Sequence, residues 1–481
     1  MGLQWSDEGS EARFGRYVEG LSGCLGHADR VAPIRSYCTG LLLPGARKSV
    51  EPMAARLRPD RTSAEHQSLL HFVGQSPWDA DALLRRVREA VLPAMTARGA
   101  VEAWIVDDTG FPKKGRHSVG VARQYCGQLG KQDNCQVAVS LSVATNEASL
   151  PMAWDLYLPE SWAGDGERRA RAGVPEDVAF RTKPGIALAQ IATALAEGVA
   201  PGTVLADAGY GNNGGFRDGV TALGLDYVVG VLGNTTVWPP GTTPTVPAWR
   251  GRGQRPKRLR RGGDGAPAQQ IRVVAETLPP EAWRAVTWRQ GVAEPLASRF
   301  AALRVRAAHG DARRSEPRPE QWLLVEWPED EPKPVKFWFS TLPADIPIER
   351  LVSLAKLRWL IERDYLELKQ ELGLGHYEGR GWRGFHHHAA LCIAAYGFLV
   401  AERAAIPPSG PGAAGLVEAP LLPEGSRPRG GTASHRAPCP VLDRDPAPAH
   451  RPSPGPSAAT MSVLCTNKPT ATQTIDKFMT Q

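Results

Sequence analysis

Cysteine is scarce and unpatterned in this sequence. Seven stand at positions 24, 38, 126, 135, 392, 439 and 465, an odd number with no CxxC pair. That argues against a disulfide framework and against a structural zinc site. Long apolar runs are lacking too, and none approaches the roughly 20 residues of a membrane span. The opening stretch, MGLQWSDEGSEARF, is polar and acidic and has no signal-peptide core. A cytoplasmic protein with no membrane partner is the expectation. Charge of one sign is also limited, since 57 Lys and Arg against 50 Asp and Glu leave +7. Such a balance permits an anionic or nucleic-acid partner without requiring one.

What is present is enough apolar material, 42% of 481 residues, for a sizeable core. Proline marks where that core ends. Residues 405–481 hold 14 of the 42 prolines and no periodic apolar face, which predicts a disordered tail. Residues 1–98 read as helical, with Ser76-Pro77 as a helix start, and their Arg35, Arg47, Lys48 and Arg56 suit either DNA contact or a plain bundle.

Residues 99–231 change character. EAWIVDD, HSVGVARQYCGQ and CQVAVSLSVATN read as strands, IALAQIATALAEG as an apolar helix, and TVLAD and DYVVGVL as buried strands. This order predicts an α/β core with a mixed sheet. Residues 232–345 break the rhythm with proline-rich turns and strand-like pieces: QIRVVAETL, RFAALRVRAA, QWLLVEW and VKFWFSTL. They read as an inserted β-rich module. Residues 346–404 return to helices and close the core.

Three carboxylate positions stand out by placement. Asp107-Asp108 ends the strand EAWIVDD, Asp207 ends TVLAD, and Glu362 sits in the helix after the insertion. Strand C-termini are where α/β sheets present ligand-binding groups. Grouped carboxylates offer the hard oxygen donors that Mg²⁺ or Mn²⁺ prefers. Two such ions ~3.5–4 Å apart activate an attacking oxygen and stabilise a leaving one at a phosphodiester. An aspartate after a strand is also a common turn former, so each alone says little. Arg358, Glu362 and Lys369 follow at i, i+4 and i+11, close to one helical face. They read either as a solvent-facing ion pair or as phosphate holders beside a metal-binding carboxylate.

With these residues in view, the sequence resembles the DDE transposases of bacterial insertion sequences, in the branch with a Tyr-Arg-Glu-Lys signature. Arg358, Glu362 and Lys369 match its spacing, while Ala355 stands where that signature has tyrosine. DDTGFPKKGRHSVGVARQYCGQLGKQDNCQVAVSL resembles the first-Asp region, LADAGYG the second, and RWLIERDYLELKQELGLGHYEGRGWRGFHHH the last-Glu region. The similarity spans roughly residues 14–403. It implies an RNase H-like mixed-sheet core interrupted by a β-rich insertion. It also implies two Mg²⁺ or Mn²⁺ ions on Asp108, Asp207 and Glu362, cleavage at terminal inverted repeats, and transfer of the 3′-hydroxyl into target DNA. The implied partner is double-stranded DNA, with a homodimer joining two ends at the nucleoid.

The first carboxylate stays open between neighbours on opposite faces of the strand. Asp directly followed by Thr favours Asp108. A pattern with one residue between them favours Asp107. Around these groups, Lys113, Lys114 and Arg116 sit in a hairpin that reads as a phosphate contact or as a polar turn. Residues 250–261 carry seven Lys or Arg in twelve, with Arg250, Arg252, Lys257 and Arg258 the candidate DNA grip. The missing tyrosine and the unusual tail keep a second reading open, a transposase-derived DNA-binding protein impaired in cleavage. The tail itself reads as either functional or the product of a frameshift.

Overall fold

The structure is a computed structural model, and it describes residues 9–405 apart from 260, 263–266, 291–294 and 309–313. The expected disorder of the tail lies outside the described residues, apart from its first.

The chain opens with five helices: α1 (Ser10–Ser22), α2 (Val31–Leu42), α3 (Val50–Leu57), α4 (Thr62–Gly74) and α5 (Ala80–Thr96). The last of these begins at Ala80, after Ser76-Pro77, because the Asp79 side chain caps it by accepting from the Asp81 N–H at 2.9 Å. Four strands follow: β1 (Ala103–Pro112), β2 (Ala122–Cys126), β3 (Lys131–Ala144) and β4 (Ser149–Leu156). Residues 117–121 bend away from the expected strand. Gly120 takes a φ of +70°, and the Val119 N–H turns to the Arg380 carbonyl. β4 has no counterpart in the sequence reading, since Pro151 looks like a breaker. It pairs only with β3, at the place where the register slips, which is where an edge strand tolerates proline.

Short helices α6 (Glu160–Ala163) and α7 (Gly166–Ala172) lead into α8 (Lys183–Ala196). Then come β5 (Thr203–Ala206), α9 (Ala208–Gly211), α10 (Gly214–Ala222) and β6 (Tyr227–Val231). β1 runs parallel to β5, and β5 parallel to β6, while β3 is antiparallel to β1. This is the mixed α/β core that the sequence predicted, consistent with an RNase H-like arrangement.

The stretch after β6 is β-rich, with β7 (Thr236–Trp238), β8 (Pro244–Thr245), β9 (Arg261–Gly262) and β10 (Gln269–Gln270), then α11 (Ile271–Glu276). The long strands β11 (Arg284–Gln290), β12 (Pro295–Ala307), β13 (Gln321–Trp327) and β14 (Lys336–Ser340) follow. QIRVVAETL is a helix from Ile271 onward and not a strand. Its buried Ile271, Val274 and Ala275 recur at helical spacing, and so short an apolar run fits either period. The inserted strands extend the core sheet, because β14 pairs antiparallel with β6. Among the described residues one 12-stranded sheet runs β10-β7-β12-β13-β14-β6-β5-β1-β3-β2, with β11 beside β12 and β4 beside β3.

Three helices close the fold: α12 (Ile348–Leu357), α13 (Trp359–Gln370) and α14 (Trp382–Ala405). The helical stretch that follows residue 346 divides at Arg358, where the Ile361 N–H bonds the Arg358 carbonyl in a tighter turn. α14 begins one turn before the histidine run. By length and composition α14 is apolar enough to cross a membrane, which the run-length reading of the sequence missed, yet it is the buried central helix of this fold. α5 and α2 pack on it. His387 stacks on Trp78 at 3.5 Å and meets the Val73 and Trp78 carbonyls, and His388 meets the Tyr37 hydroxyl at 2.9 Å. His387 and His388 thus join α14 to the N-terminal helices.

Candidate active site

The parallel strands bring the two aspartate segments side by side. β1 and β5 are in register from Ala103↔Thr203 to Ile105↔Leu205, and β1 runs on past the end of β5 to Pro112, so Asp107-Asp108 lies within the strand and not at its expected end. Asp107 comes two residues after Ile105 on β1, and Asp207 directly follows β5. Asp207 caps α9, accepting from the Gly209 N–H at 2.8 Å and the Tyr210 N–H at 3.4 Å. The turn has no room to spare. A Cβ on Gly211 would lie 1.9 Å from the Gly230 carbonyl oxygen of β6.

The pleat sends Asp107 and Asp108 to opposite faces of β1. Asp107 shares its face with Ser140, its partner on β3, whose hydroxyl meets the buried Tyr365 hydroxyl of α13 at 2.7 Å. Asp108 shares its face with Val139 and Asp155, beneath α8. The break at Arg358 places its guanidinium over the first face. One nitrogen donates to Asp107 Oδ2 at 2.9 Å and another to Glu362 Oε1 at 3.0 Å. Asp207, Arg358 and Glu362 line one cleft of about 410 Å³, with Trp338, Lys356 and Trp359. Glu362 is 65% exposed there, whereas Asp107 is 15% exposed. Burial pushes the Asp107 carboxyl up to about 7; Arg358 opposes this, and the nearby Asp207 and Asp108 carboxylates add to it.

Asp108 meets different partners. The Lys183 ammonium at the start of α8 donates to its Oδ2 at 2.8 Å, and the Tyr210 hydroxyl donates to the same atom at 3.3 Å. Neither Lys183 nor Tyr210 is a site residue in the sequence reading, because no spacing rule links position 108 to 183 or 210. Tyr210 lies within LADAGYG, three residues past Asp207, and that proximity is the one signal available.

The donor set of Asp107, Asp207 and Glu362 is all carboxylate oxygen, the chemistry a hard divalent cation takes. The Arg358 guanidinium stands between two of the three. Among the described residues no three His, Cys, Asp or Glu side chains are gathered closely enough to hold one ion. Asp107, Asp207 and Glu362 fit such a cation only in the kind of donor they offer, and the Arg358 guanidinium bridges Asp107 and Glu362.

The other expected residues are distributed around this cleft. Lys369 donates to the Gly110 carbonyl at 2.9 Å and lies over the Phe111 ring, clasping α13 to β1 beyond the aspartates. Lys113 donates to the Tyr377 carbonyl at 2.9 Å, while Lys114 and Arg116 are exposed. Arg250, Arg252, Lys257 and Arg258 are exposed in the loop between β8 and β9, where Arg255 lies over the Trp249 ring. Ala355, at the position of the signature tyrosine, is buried on α12 and lines the cleft.

A second cation supports the cleft from below. The Lys356 ammonium pairs with Glu326 of β13 at 2.6 Å and lies 4.3 Å from the Trp288 ring, with Phe300 and Trp338 beside it. Next to it, Trp359 carries the Arg289 guanidinium at 3.9 Å. These contacts bind the inserted strands to the junction of α12 and α13, and so to Arg358.

Comparison with known proteins gives the family of the chain. A probable transposase for insertion sequence element IS701 from Microchaete diplosiphon is 34% identical over 169 residues, 35% of this chain. The match covers 41% of that relative, so the chain spans less than half of its length. The family model described as DDE superfamily endonuclease matches residues 20–295, a span that contains Asp107, Asp108 and Asp207 and stops short of Glu362. Matched over more than half its length, the chain belongs to the DDE superfamily endonuclease family.

Proposed function

We propose that this protein is a DNA transposase that cuts at terminal inverted repeats and joins the freed 3′-hydroxyl to target DNA. Asp107, Asp207 and Glu362 are its three catalytic carboxylates. The observation that carries this reading is the Arg358 guanidinium. It holds together an aspartate of β1 and a glutamate of α13, far apart in sequence, beside the cleft that Asp207 lines. A cation bridging carboxylates of separate elements balances the negative charge that a divalent metal ion would otherwise balance there.

In this reading Asp107, Asp207 and Glu362 hold two Mg²⁺ or Mn²⁺ ions. When bound, these supply Lewis-acid stabilisation of the attacking and leaving oxygens at a phosphodiester. Arg358 exchanges its carboxylates for a DNA phosphate. It is suited to that exchange because its fork binds either anion in the same bidentate way. Trp359 and Trp338 border the cleft. Lys114, Arg116 and the 250–258 loop contact the backbone of duplex DNA, and two copies of the chain bring two ends together. The cleft wall at Ala355 offers no hydroxyl for a phosphate, so an impaired, DNA-binding role is the competing reading.

The test is cleavage of a plasmid carrying the DNA that flanks the reading frame. Wild-type protein should cut it in Mg²⁺ or Mn²⁺. Asp107→Asn, Asp207→Asn and Glu362→Gln should each lower cleavage by at least about 10³-fold, with end binding in a gel shift kept within a few-fold. Binding without any cutting by the wild type would favour the impaired reading. Full cutting by the Glu362 variant would remove Glu362 from the site.

A further inference from the structure

Asp108 is left without a task once Asp107 is taken as the metal-binding carboxylate, yet its surroundings are specific. It lies on the face of β1 away from Arg358 and Glu362, and its Oδ2 accepts two bonds. One comes from Lys183 at 2.8 Å, the other from the Tyr210 hydroxyl at 3.3 Å. Tyr210 is 2% exposed and packs on Phe216 of α10. Its own backbone N–H, with that of Gly209, donates to Asp207 Oδ1. A continuous path therefore runs from Lys183 of α8 through Asp108 of β1 and the Tyr210 ring to the carboxylate of Asp207.

We propose that Asp108 is a positioning residue that fixes the Asp207 turn through Tyr210, with Lys183 holding the Asp108 side chain in place. This rests on the reading of Asp107 as the first metal-binding carboxylate. The neighbouring aspartates then divide the work. Asp107 meets Arg358, which lines the cleft. Asp108 faces the sheet's other side and sets the orientation of the second carboxylate. The Tyr210 hydroxyl is worth burying here because it needs an acceptor, and a carboxylate accepts more strongly than a neutral oxygen. Without that acceptor the ring loses its one polar anchor. The two N–H groups that aim Asp207 Oδ1 then lose their fixed position. Groups that orient a metal-binding side chain in this way typically change metal affinity by about 10–100-fold when removed.

The experiment measures Mn²⁺ binding to the purified full chain by the electron paramagnetic resonance signal of free Mn²⁺. Wild type is compared with Asp107→Asn, Asp108→Asn, Lys183→Met and Tyr210→Phe, with thermal melting of each. Asp108→Asn, Lys183→Met and Tyr210→Phe should keep the wild-type number of sites and weaken Kd by about tenfold. The Asp108→Asn/Tyr210→Phe double variant should be no weaker than Asp108→Asn alone, because both break the same link. Asp107→Asn should lose a site outright. Wild-type affinity in Asp108→Asn and Tyr210→Phe, with a site still lost in Asp107→Asn, would overturn the positioning role and leave the Asp107 reading standing. A site lost in Asp108→Asn and retained in Asp107→Asn would overturn both. Tyr210→Phe removes one oxygen, so it decides the matter even where Asp108→Asn does not fold.

Discussion

Asp107 and Asp108 differ only in which side of a pleated strand they occupy, and that alone separates their chemistry. Asp107 meets Arg358 and Asp108 meets Lys183. The same dependence on surroundings governs the histidines of α14. His388 is buried and pushed down to about 4 by burial, as is His387. A histidine that is neutral when folded binds its proton more readily when unfolded. Stability is therefore complete above about pH 6.5 and is lost as the pH falls toward 4, by at most about 3 kcal/mol per histidine. His388→Gln should flatten that part of the profile in urea denaturation series at pH 7.5, 6 and 5. An unchanged slope would show that His388 does not titrate as its burial implies. At this scale the sequence was partly legible. Three of the four acidic positions were conspicuous by their expected place at strand ends, and Glu362 by its spacing from Arg358. The proposed preference for Asp107 over Asp108 rests on the strand's facing, which only the neighbours Ser140, Val139 and Asp155 supply.

Among elements, the junction of α12 and α13 carries the greatest demand. It presents Arg358 to the carboxylates and is braced by Lys356 against strands more than 25 residues earlier. Glu326 is 5% exposed at its side chain, and one of its oxygens has no partner. Lys356→Met keeps the aliphatic stem against the tryptophans and strands that carboxylate. It should cost about 3–5 kcal/mol, read as a lower urea midpoint. Lys356→Met combined with Glu326→Leu should recover much of the loss. A Lys356→Met midpoint equal to the wild type would mean the pair is not a brace. The helices and long strands here were readable from apolar period. The break at Arg358, the helix at Ile271–Glu276 and the edge strand β4 were not. Each depends on a partner distant in sequence or on a run too short to have a period of its own.

For the molecule as a whole, the small charge excess resolves into separate regions. Residues 250–261 alone carry seven basic residues, as many as the net charge of the chain, so the remainder balances to zero. The inserted strands are continuous with the core sheet through β14 and β6, which joins the region bearing that basic loop to the cleft wall. The sequence marked the β-rich insertion by its composition. It did not show the continuity, because antiparallel pairing between β14 and β6 leaves no local signature. In the proposed function, Asp107, Asp207 and Glu362 hold the metal once DNA draws Arg358 away. The most direct measurement is the anomalous scattering of Mn²⁺ in crystals of the protein bound to its transposon-end DNA. Mn²⁺ peaks should lie within bonding distance of Asp107, Asp207 and Glu362, with Arg358 turned to a phosphate. Peaks on Asp108, or Arg358 still bridging Asp107 and Glu362 with no metal beside them, would contradict this reading.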